Sequence, residues 1–230
     1  MTNPTANTQL LPSRVALITG GEGGLAQALR LELTAAAIQV YAPSRRELDV
    51  TCAASIAAAF ENFPRLDLLV CNAGLIADKT MAAMSEEEFA RVLDINLTGA
   101  FRTARAALKL MSRQRSGHIV FIGSFSALTG PIGQAAYASA KAGLISLAQS
   151  LAREYGARNI RVNCILPGFM ETKMTAHLSD ANLARYKQAH TLGRFNTVAE
   201  AARFIRFLDL EMPHTSGQVF SIDSRPHPWT

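Results

Sequence analysis

The sequence has few of the features that mark secreted, metal-binding or membrane-spanning proteins. Its three cysteines, Cys52, Cys71 and Cys164, have neither the spacing of a metal site nor the even number of a disulfide framework. We therefore expect reduced, buried thiols and no metal. No apolar run reaches the roughly 20 residues that a membrane-spanning helix needs, and no basic-then-apolar signal opens the chain. These absences predict a cytoplasmic protein that does not enter a membrane.

Charged residues are also sparse, at 18% of the 230 residues, with 23 basic against 18 acidic side chains. The net charge of +5 is scattered and not gathered in a basic run, so nucleic acid is not expected as a partner. Hydrophobic residues make up 49% of the chain, which is enough for a packed core. With no repeat or linker in sight, we expect one catalytic domain over residues 14–230, preceded by a flexible tail over residues 1–13.

Short apolar, β-rich runs alternate with helical segments along the chain. This order predicts an α/β fold: a single Rossmann-type, doubly wound domain with a mainly parallel sheet of about seven strands flanked by helices. One expected strand, residues 48–50, follows the second strand so closely that the usual crossover helix is missing. Ligands of such sheets bind where the strands end. The polar or glycine residues at predicted carboxyl ends are Gly20, Arg45, Asp49, Asn72, Ser124 and Pro167.

The first predicted strand runs into a glycine-rich turn and then a helix. In this arrangement backbone N–H groups and a helix N-terminus point at a pyrophosphate. Gly20 would allow the tight turn and Gly24 the close approach of the backbone, while Leu25 begins the helix and Ala26 replaces a third glycine. The turn predicts a dinucleotide site, although an ordinary loop has the same composition.

The residues after the second strand bear on which dinucleotide binds. An acidic residue there would bond a ribose 2′-hydroxyl, whereas an arginine accommodates a 2′-phosphate. Here Ser44, Arg45 and Arg46 follow the strand, so NADP(H) is favoured over NAD(H). The alternative is a pair of solvated arginines, with Glu47 close enough to pair with them. Asp49 is expected to bond the amino group of the adenine.

A tyrosine and a lysine four residues apart are the centre of the expected chemistry. Tyr137 and Lys141 would lie one helical turn apart on one face. An ammonium beside a phenol favours the phenolate and lowers the phenol's pKa from about 10. Ser124, at the end of an apolar strand, could orient a carbonyl beside them. A helix–strand contact with an exposed lysine would show the same spacing.

Two further stretches are candidates for the site. Asn96 lies inside an apolar helix that Ser85 and Glu88 begin with a capping box, and an asparagine there needs a partner for its side chain. That partner would be structural or part of a proton or water relay. Residues 169–195 are irregular and rich in His, Met and Lys, which is typical of a substrate lid.

These motifs occur in a fixed order: Thr19-Gly20-x-x-x-Gly24, Asp49-Val50, Asn72-Ala73-Gly74, Asn96, Ser124, Tyr137-x-x-x-Lys141 and Pro167-Gly168. From about Arg14 to Asp223 the chain resembles the short-chain dehydrogenase/reductase family. The resemblance implies a catalytic tetrad of Asn96, Ser124, Tyr137 and Lys141. Tyr137 would be the general acid and base, Lys141 would hold the nicotinamide ribose, and Asn96 would hold a water. The resemblance also implies a set of cofactor contacts along the carboxyl edge, among which Thr172 would meet the nicotinamide carboxamide. They are Gly20, Gly24, Leu25, Ser44, Arg45, Asp49, Val50, Asn72, Ala73, Gly74, Tyr137, Lys141, Pro167, Gly168 and Thr172.

Within the family the chain is most similar to β-ketoacyl-carrier-protein reductases, through segments such as NAGLIADKTMAAM, DINLTGAF and TLGRF. This implies reduction of a 3-oxoacyl thioester or similar ketone by NADPH, with a substrate that a carrier protein could present. A homodimer or homotetramer is implied too. Arg113, Arg115 and Arg158 are basic positions that could meet an acidic carrier protein, and solvated surface arginines are the simpler interpretation of all three. Ala77 and the tail after Asp223 depart from that subgroup.

Two other functions stay open at this point. One is an NAD(P)-dependent alcohol or sugar dehydrogenase that works in the direction of oxidation. The other is a cofactor-binding scaffold or sensor without catalysis, since a fold does not fix a function.

Overall fold

The computed structural model describes residues 14–61, 63–172, 175–176 and 179–226. Six parallel strands form one sheet in the order β2-β1-β3-β4-β5-β6. The strands are β1 Val15–Ile18, β2 Gln39–Tyr41, β3 Leu68–Cys71, β4 Gly117–Ile122, β5 Ile160–Leu166 and β6 Val219–Ser221. The expected tail over residues 1–13 and the last residues of the chain, 227–230, lie outside the described part.

Helices connect successive strands, as a parallel sheet requires. They are α1 Gly24–Ala35, α2 Ala53–Glu61, α3 Glu86–Leu93, α4 Gly99–Gln114, α5 Ser126–Thr129, α6 Ala135–Tyr155, α7 Asp180–Gln188 and α8 Val198–Leu210. The expected capping box begins α3 at Ser85, and a second one begins α8 at Thr197. In the described part of the chain, no helix is both long and apolar enough to cross a membrane.

Side chains that alternate along the strands build two hydrophobic layers. On β1, Leu17 packs among residues of α4 and α6, whereas Ile18 packs among residues of α1 and α8. On β4, Phe121 and Ile122 divide in the same way. Successive side chains of a strand point to opposite faces, so a continuous apolar strand must be covered on both. The result is the three-layered, doubly wound α/β domain that the sequence predicts.

The expected strand at residues 48–50 is wrong. Among the described residues the sheet has six strands where about seven were expected, and this stretch is a turn whose Leu48 and Val50 side chains enter the core. A parallel crossover needs about a dozen residues, and the few residues after β2 cannot supply one. The pattern of two apolar residues around an aspartate is the same in the sequence for a β-strand and for a loop that buries both apolar side chains in the core.

The cysteines are all free thiols, as expected, but they do not share one environment. Cys71 and Cys164 are buried in the sheet, whereas Cys52 is exposed. The expectation of burial is therefore wrong for Cys52, which begins the loop before α2. Burial raises the pKa of the Cys164 thiol to about 12, so that thiol stays protonated and unreactive.

A buried polar cluster fixes α8 against the amino ends of the strands. The Asp209 carboxylate accepts hydrogen bonds from Arg14 at 2.8 Å and His118 Nδ1 at 3.0 Å. Burial lowers the pKa of His118, so the imidazole is neutral at pH 7, and its Nε2 accepts from Asn163 at 3.1 Å. These partners satisfy groups that would otherwise be costly to bury. They lie at the sheet edge opposite the predicted site.

Candidate active site

The predicted site residues gather at the carboxyl edge of the sheet. Gly20 follows β1, Asn72 follows β3, Ser124 follows β4 and Pro167 follows β5. Because all the strands are parallel, these ends share one edge, which is where ligands of such folds bind. Asp49 is the exception, since it lies in the long loop after β2 and not at the end of a strand.

The glycine turn leaves no room for side chains. Gly20 has a positive φ of 68°, and a Cβ there would come within 2.9 Å of Ala73 Cα. Gly23 precedes α1 without a side-chain cap, and the first turn of α1 carries no acidic residue. The first backbone N–H groups of this helix therefore have no carboxylate in their own turn, and the Glu22 side chain in the preceding turn is exposed to solvent. Such a turn fits the pyrophosphate of a dinucleotide, with Gly24 and Leu25 in the first helical turn.

Asn72 and Ala73 hold this turn in place. The Asn72 Nδ2 donates to the carbonyls of Thr19 at 3.0 Å and Gly20 at 3.2 Å. The Thr19 hydroxyl in turn accepts from the backbone N–H groups of Asn72 and Ala73, both at 3.0 Å. The turn after β1 is thus tied to the loop after β3, which forms the other wall of the predicted cofactor groove.

In the loop after β2, the charged side chains do not form the expected pairs of Glu47 with the two arginines. The Glu47 carboxylate accepts from the Ser44 N–H at 2.7 Å and from its hydroxyl at 2.8 Å, so Glu47 pairs with Ser44 and not with the arginines. Arg45 is 69% exposed and lies 3.5 Å from Asp49. The other Asp49 oxygen accepts from Thr51.

Val50 packs its side chain in the core, where a Cβ on Gly99 would come within 2.7 Å of it. Only the backbone of Val50 is therefore positioned to meet a ligand at the sheet edge. The predicted contacts of Ser44, Asp49 and Val50 with an adenosine remain predictions.

Tyr137 and Lys141 lie one turn apart on α6, next to the end of β4. The Lys141 Nζ is 5.5 Å from the centre of the Tyr137 ring and donates to the Ile122 carbonyl at 2.8 Å. Lys141 is only 3% exposed. The Ser124 side chain lies close enough to the Tyr137 hydroxyl to favour its ionised form and oppose the rise of its pKa. Three of the four residues of the implied tetrad therefore form one contiguous group, with a lysine that is buried and not exposed.

The expected lowering of the Tyr137 pKa is not found. Burial raises the pKa of Tyr137 to about 12, the hydrogen bond with Ser124 opposes this, and the charge of Asp78 adds to it. Burial also lowers the pKa of Lys141 to about 8. Desolvation is the largest cause of both shifts, and neither shift has the charge of the other residue among its causes. The phenol therefore holds its proton throughout the neutral range, which suits a proton donor better than a base.

Asn96 occupies a wide turn that interrupts the expected single helix. Residues Asp94–Thr98 form a π turn between α3 and α4, a feature that is frequent at functional sites. The Asn96 Nδ2 donates to the Val92 carbonyl at 2.9 Å and the Leu75 carbonyl at 2.8 Å, and Oδ1 accepts from the Leu75 N–H at 3.3 Å. The asparagine thus has the structural partners that its burial demands, and it fixes the loop after β3.

Gly74 is the point at which Asn96 and Lys141 meet. A Cβ on Gly74 would lie 2.9 Å from Asn96 Oδ1 and 3.8 Å from Lys141 Nζ. All four residues of the implied tetrad therefore surround the ends of β3 and β4.

The loop after β5 closes the other side of the groove. The Pro167 carbonyl accepts from Asn196 Nδ2 at 2.9 Å, and Gly168 has a positive φ of 81°. Thr172 reaches across to the glycine turn, where a Cβ on Gly24 would lie 3.4 Å from its methyl group. The predicted contacts from both ends of the chain therefore face one groove.

The expected lid is an aromatic cluster over α7. Phe169 stacks on Tyr186 at 5.3 Å between ring centres and packs against Phe195 at 4.3 Å. His190 packs edge-on against Phe195 at 5.3 Å. His177, a possible substrate contact from its position in the lid, lies outside the described residues.

The segment after β6 reaches the site, which the sequence motifs do not indicate. A Cβ on Gly168 would lie 2.5 Å from Asp223, and Ser224 accepts two hydrogen bonds from Thr191 in the lid. The Arg225 guanidinium pairs with Asp223 and lies 3.8 Å from the centre of the Phe125 ring. The segment thus joins the lid to the residue after Ser124. The only signal in the sequence is that residues 223–229 depart from the relatives' usual ending.

A parallel sheet with a glycine turn at one strand end and a hydrogen-bonded serine and tyrosine beside a buried lysine defines a class of protein. The class is that of the nicotinamide-dependent oxidoreductases with a Rossmann-type domain.

Comparisons with known proteins place the chain within this class. Residues 23–224 match the family model described as enoyl-(acyl carrier protein) reductase. The chain is 35% identical to the 3-oxoacyl-[acyl-carrier-protein] reductase FabG of Aquifex aeolicus, over 93% of this chain and 97% of that protein. It is 37% identical to the 3-oxoacyl-[acyl-carrier-protein] reductase MabA of Mycobacterium bovis, over 92% of each. A crystal structure of a short-chain dehydrogenase/reductase from Burkholderia thailandensis superimposes with a TM-score of 0.86 at 33% identity, covering 93% of this chain and 92% of that one.

The chain belongs to the short-chain dehydrogenase/reductase family. It is an oxidoreductase that acts between hydroxyl and carbonyl groups with a nicotinamide cofactor. The resemblance that the motifs predict is confirmed, as is the fold.

The contact between Gly74 and Asn96 gives a first prediction. Gly74→Ala should push the Asn96 carboxamide away from Leu75 and lower turnover about tenfold or more, because small displacements in a site are costly. Steady-state kinetics and the melting temperature would be measured together. Gly156→Ala is the matched control, since a Cβ there meets nothing within 4 Å. Unchanged turnover in Gly74→Ala would show that the close approach of the Gly74 backbone to Asn96 Oδ1 is not needed for activity.

Proposed function

We propose that the protein reduces ketones, and 3-oxoacyl thioesters in particular, with NADPH as the hydride donor and Tyr137 as the general acid. One observation carries the proposal: the Ser124–Tyr137 pair lies beside the buried Lys141 at the carboxyl edge of the sheet, with the glycine turn on the same edge. The names of the relatives from Aquifex aeolicus and Mycobacterium bovis support the choice of substrate.

The bound cofactor would supply a hydride to the carbonyl carbon. The proton for the developing alkoxide comes from Tyr137, whose raised pKa of about 12 keeps the phenol protonated until that charge appears. Ser124 donates a hydrogen bond to the same oxygen, and a donor of this kind is typically worth about 3 kcal/mol. Lys141, with a pKa of about 8, is largely protonated at pH 7 and is placed to hold the nicotinamide ribose.

Asn96 acts in this scheme by holding the loop after β3. Its carboxamide engages both backbone groups of Leu75, so it fixes the backbone at Gly74, beside which the Lys141 ammonium lies. We propose that a water molecule is held at the loop after β3, between Asn96 and Lys141. After each turnover, a proton would pass through this water and Lys141 to the Tyr137 oxygen.

NADPH is proposed over NADH because of the loop after β2. Arg45 is exposed and its partner Asp49 lies 3.5 Å away, a separation at which a phosphate could displace the carboxylate. Glu47 does not compete for Arg45, because both of its contacts go to Ser44. Arg45 would therefore be free to turn toward a 2′-phosphate.

We propose that the substrate can be carried by an acyl carrier protein, but not at the basic positions first considered. Arg113 and Arg115 lie at the end of α4, just before β4 begins, and Arg158 precedes β5. All three are therefore at the amino edge, away from the site. A carrier would dock at the opposite edge, near the lid, where α7 carries Arg185 and Lys187.

An oligomer of two or four copies is also proposed. An apolar groove between α4 and α6 is lined by Leu97, Phe101 and Leu147, and Phe101 is 45% exposed. A second copy of the chain would cover this surface.

Replacement of the acid is the test of the mechanism. Tyr137→Phe should lower the reduction of an acetoacetyl thioester by roughly 10²–10⁴-fold, because the proton donor is lost. NADPH binding, followed by its fluorescence, should stay nearly unchanged. Tyr155→Phe, on the same helix, is the matched control and should keep full activity. Retained activity in Tyr137→Phe would remove Tyr137 from the acid role.

The same assay with a substrate panel separates the alternatives. Wild-type protein should oxidise NADPH with the 3-oxoacyl thioester but not with the corresponding enoyl thioester. The Ser124 and Tyr137 hydroxyls act on the oxygen of the 3-oxo group, and the enoyl thioester has no oxygen at that carbon. Quinones, aldehydes and sugars, and alcohols with NADP or NAD, complete the panel. Preferred turnover of an alcohol or sugar would favour the dehydrogenase reading, and binding of NADPH without any turnover would favour a scaffold.

Arg45 provides the prediction for cofactor choice. Arg45→Asp should raise the KM for NADPH by about ten- to a hundredfold, since one charge-assisted contact with the 2′-phosphate is lost. The KM for NADH should be equal to the wild-type value or lower. Arg158→Asp makes the same change of charge at the amino edge and should alter neither value. An unchanged ratio of NADPH to NADH efficiency in Arg45→Asp would show that Arg45 does not discriminate between the cofactors.

A further inference from the structure

Ser126 links the Ser124 hydroxyl to a carboxylate outside the implied tetrad, through its backbone N–H on one side and its own hydroxyl on the other. The Ser126 N–H donates to Ser124 Oγ at 3.2 Å, and the Ser126 hydroxyl donates to Gln134 Oε1 at 2.7 Å. The Gln134 Nε2 then donates to Asp78 Oδ2 at 2.9 Å. The chain joins three segments: the loop after β3, the end of β4 and the residue before α6.

The direction of each hydrogen bond follows from the chemistry at the end of the chain. A carboxylate only accepts, so Asp78 faces the amide nitrogen of Gln134. The amide oxygen of Gln134 is therefore the end that faces Ser126, and it accepts the hydroxyl proton of that serine. The backbone N–H of Ser126 donates to Ser124 Oγ, which occupies one lone pair of that oxygen. The single proton of Ser124 is left free to turn from Tyr137 to the substrate oxygen when the substrate binds.

We propose that Gln134 and Asp78 are positioning residues that fix Ser124 as a hydrogen-bond donor to the substrate oxygen. The inference rests on the proposed function, because it concerns the serine of that site. Neither residue touches the reacting atoms in this account. Each acts through Ser126 on the orientation of one hydroxyl.

The surroundings of Gln134 support a role beyond helix capping. Gln134 stands at the N-cap of α6, but its side chain makes no capping hydrogen bond. Its backbone carbonyl begins the helix by accepting from Ala138 at 2.7 Å. The hydrogen bonds of the Gln134 side chain therefore go to Ser126 and Asp78, which it bridges. A backbone bond from Lys79 to Gly133 at 2.9 Å already joins these two loops, so the amide bridge is not needed to hold them together.

The charge of Asp78 also reaches the acid. Burial is the main reason for the raised pKa of Tyr137, and the negative charge of Asp78 raises it further. The same carboxylate that directs the amide therefore helps to keep the phenol protonated. Both effects favour the reduction of a ketone.

A double-mutant cycle tests whether Gln134 acts through Ser124. Gln134→Leu should lower kcat for the 3-oxoacyl thioester about tenfold, the effect of one lost orienting hydrogen bond, and leave the KM for NADPH unchanged. In a Ser124→Ala background, the same substitution should change the residual kcat less than about twofold, because the hydroxyl that it orients is gone. Full additivity of the two losses, or an unchanged kcat in Gln134→Leu, would overturn the inference.

Three further variants separate positioning from stability. Ser126→Ala should reproduce the loss in kcat, whereas Ser126→Thr keeps the hydroxyl and should restore most of it. Gln149→Leu makes the matched change elsewhere on α6 and should leave kcat unaltered. A loss in Gln134→Leu that tracks the melting temperature, or a loss in Ser126→Ala that Ser126→Thr shares in full, would mark a structural role and overturn the inference. Absence of ketone reduction by the wild-type protein would refute the proposed function itself, and the inference with it.

Discussion

The site depends on one hydrogen bond, which the Lys141 ammonium donates to the Ile122 carbonyl at 2.8 Å. It joins the middle of α6 to the last residue of β4 and holds a charged group at 3% exposure. Because the lysine is fixed there, Tyr137, one turn earlier on the helix, comes against Ser124 just beyond the strand. Removing a buried charge from water is costly, and that cost appears as the lowered pKa of Lys141, about 8. The lysine retains its charge at neutral pH while sitting at the base of the groove.

Around this contact the fold brings together loops that are far apart in the sequence. Asn96 holds the loop after β3 through Leu75, and Asn72 ties that loop to the glycine turn. On the opposite side, Asp223 and Arg225 lie between Gly168 and Phe125. The segment after β6 therefore lies against both the loop after β5 and the residue after Ser124. These contacts hold the loops around the groove before any ligand binds, so the predicted site is preorganised.

The spacing of residues predicts much of this arrangement. Tyr137 and Lys141 are four apart on a helix, and Ser124 ends a strand, so local periodicity is enough to place them together. The prediction of a strand at residues 48–50 was wrong because Leu48 and Val50 bury their side chains in the core from a loop. The apolar pattern is thereby satisfied without hydrogen bonds to a neighbouring strand. The hydrogen bond between Gln134 and Asp78 spans 56 residues and leaves no local signal. The pKa of Tyr137 was misjudged because charge attraction can be read from spacing, whereas desolvation depends on packing.

Placement of the nicotinamide is the central claim, and a crystal structure of the protein with NADP bound tests it most directly. The account predicts that the nicotinamide ribose hydroxyls lie within about 3 Å of Lys141 Nζ and Tyr137 Oη, with the pyrophosphate on the N-terminus of α1. The nicotinamide would then face the Ser124 hydroxyl. A cofactor whose ribose lies away from both side chains would contradict the account, whatever the protein reduces.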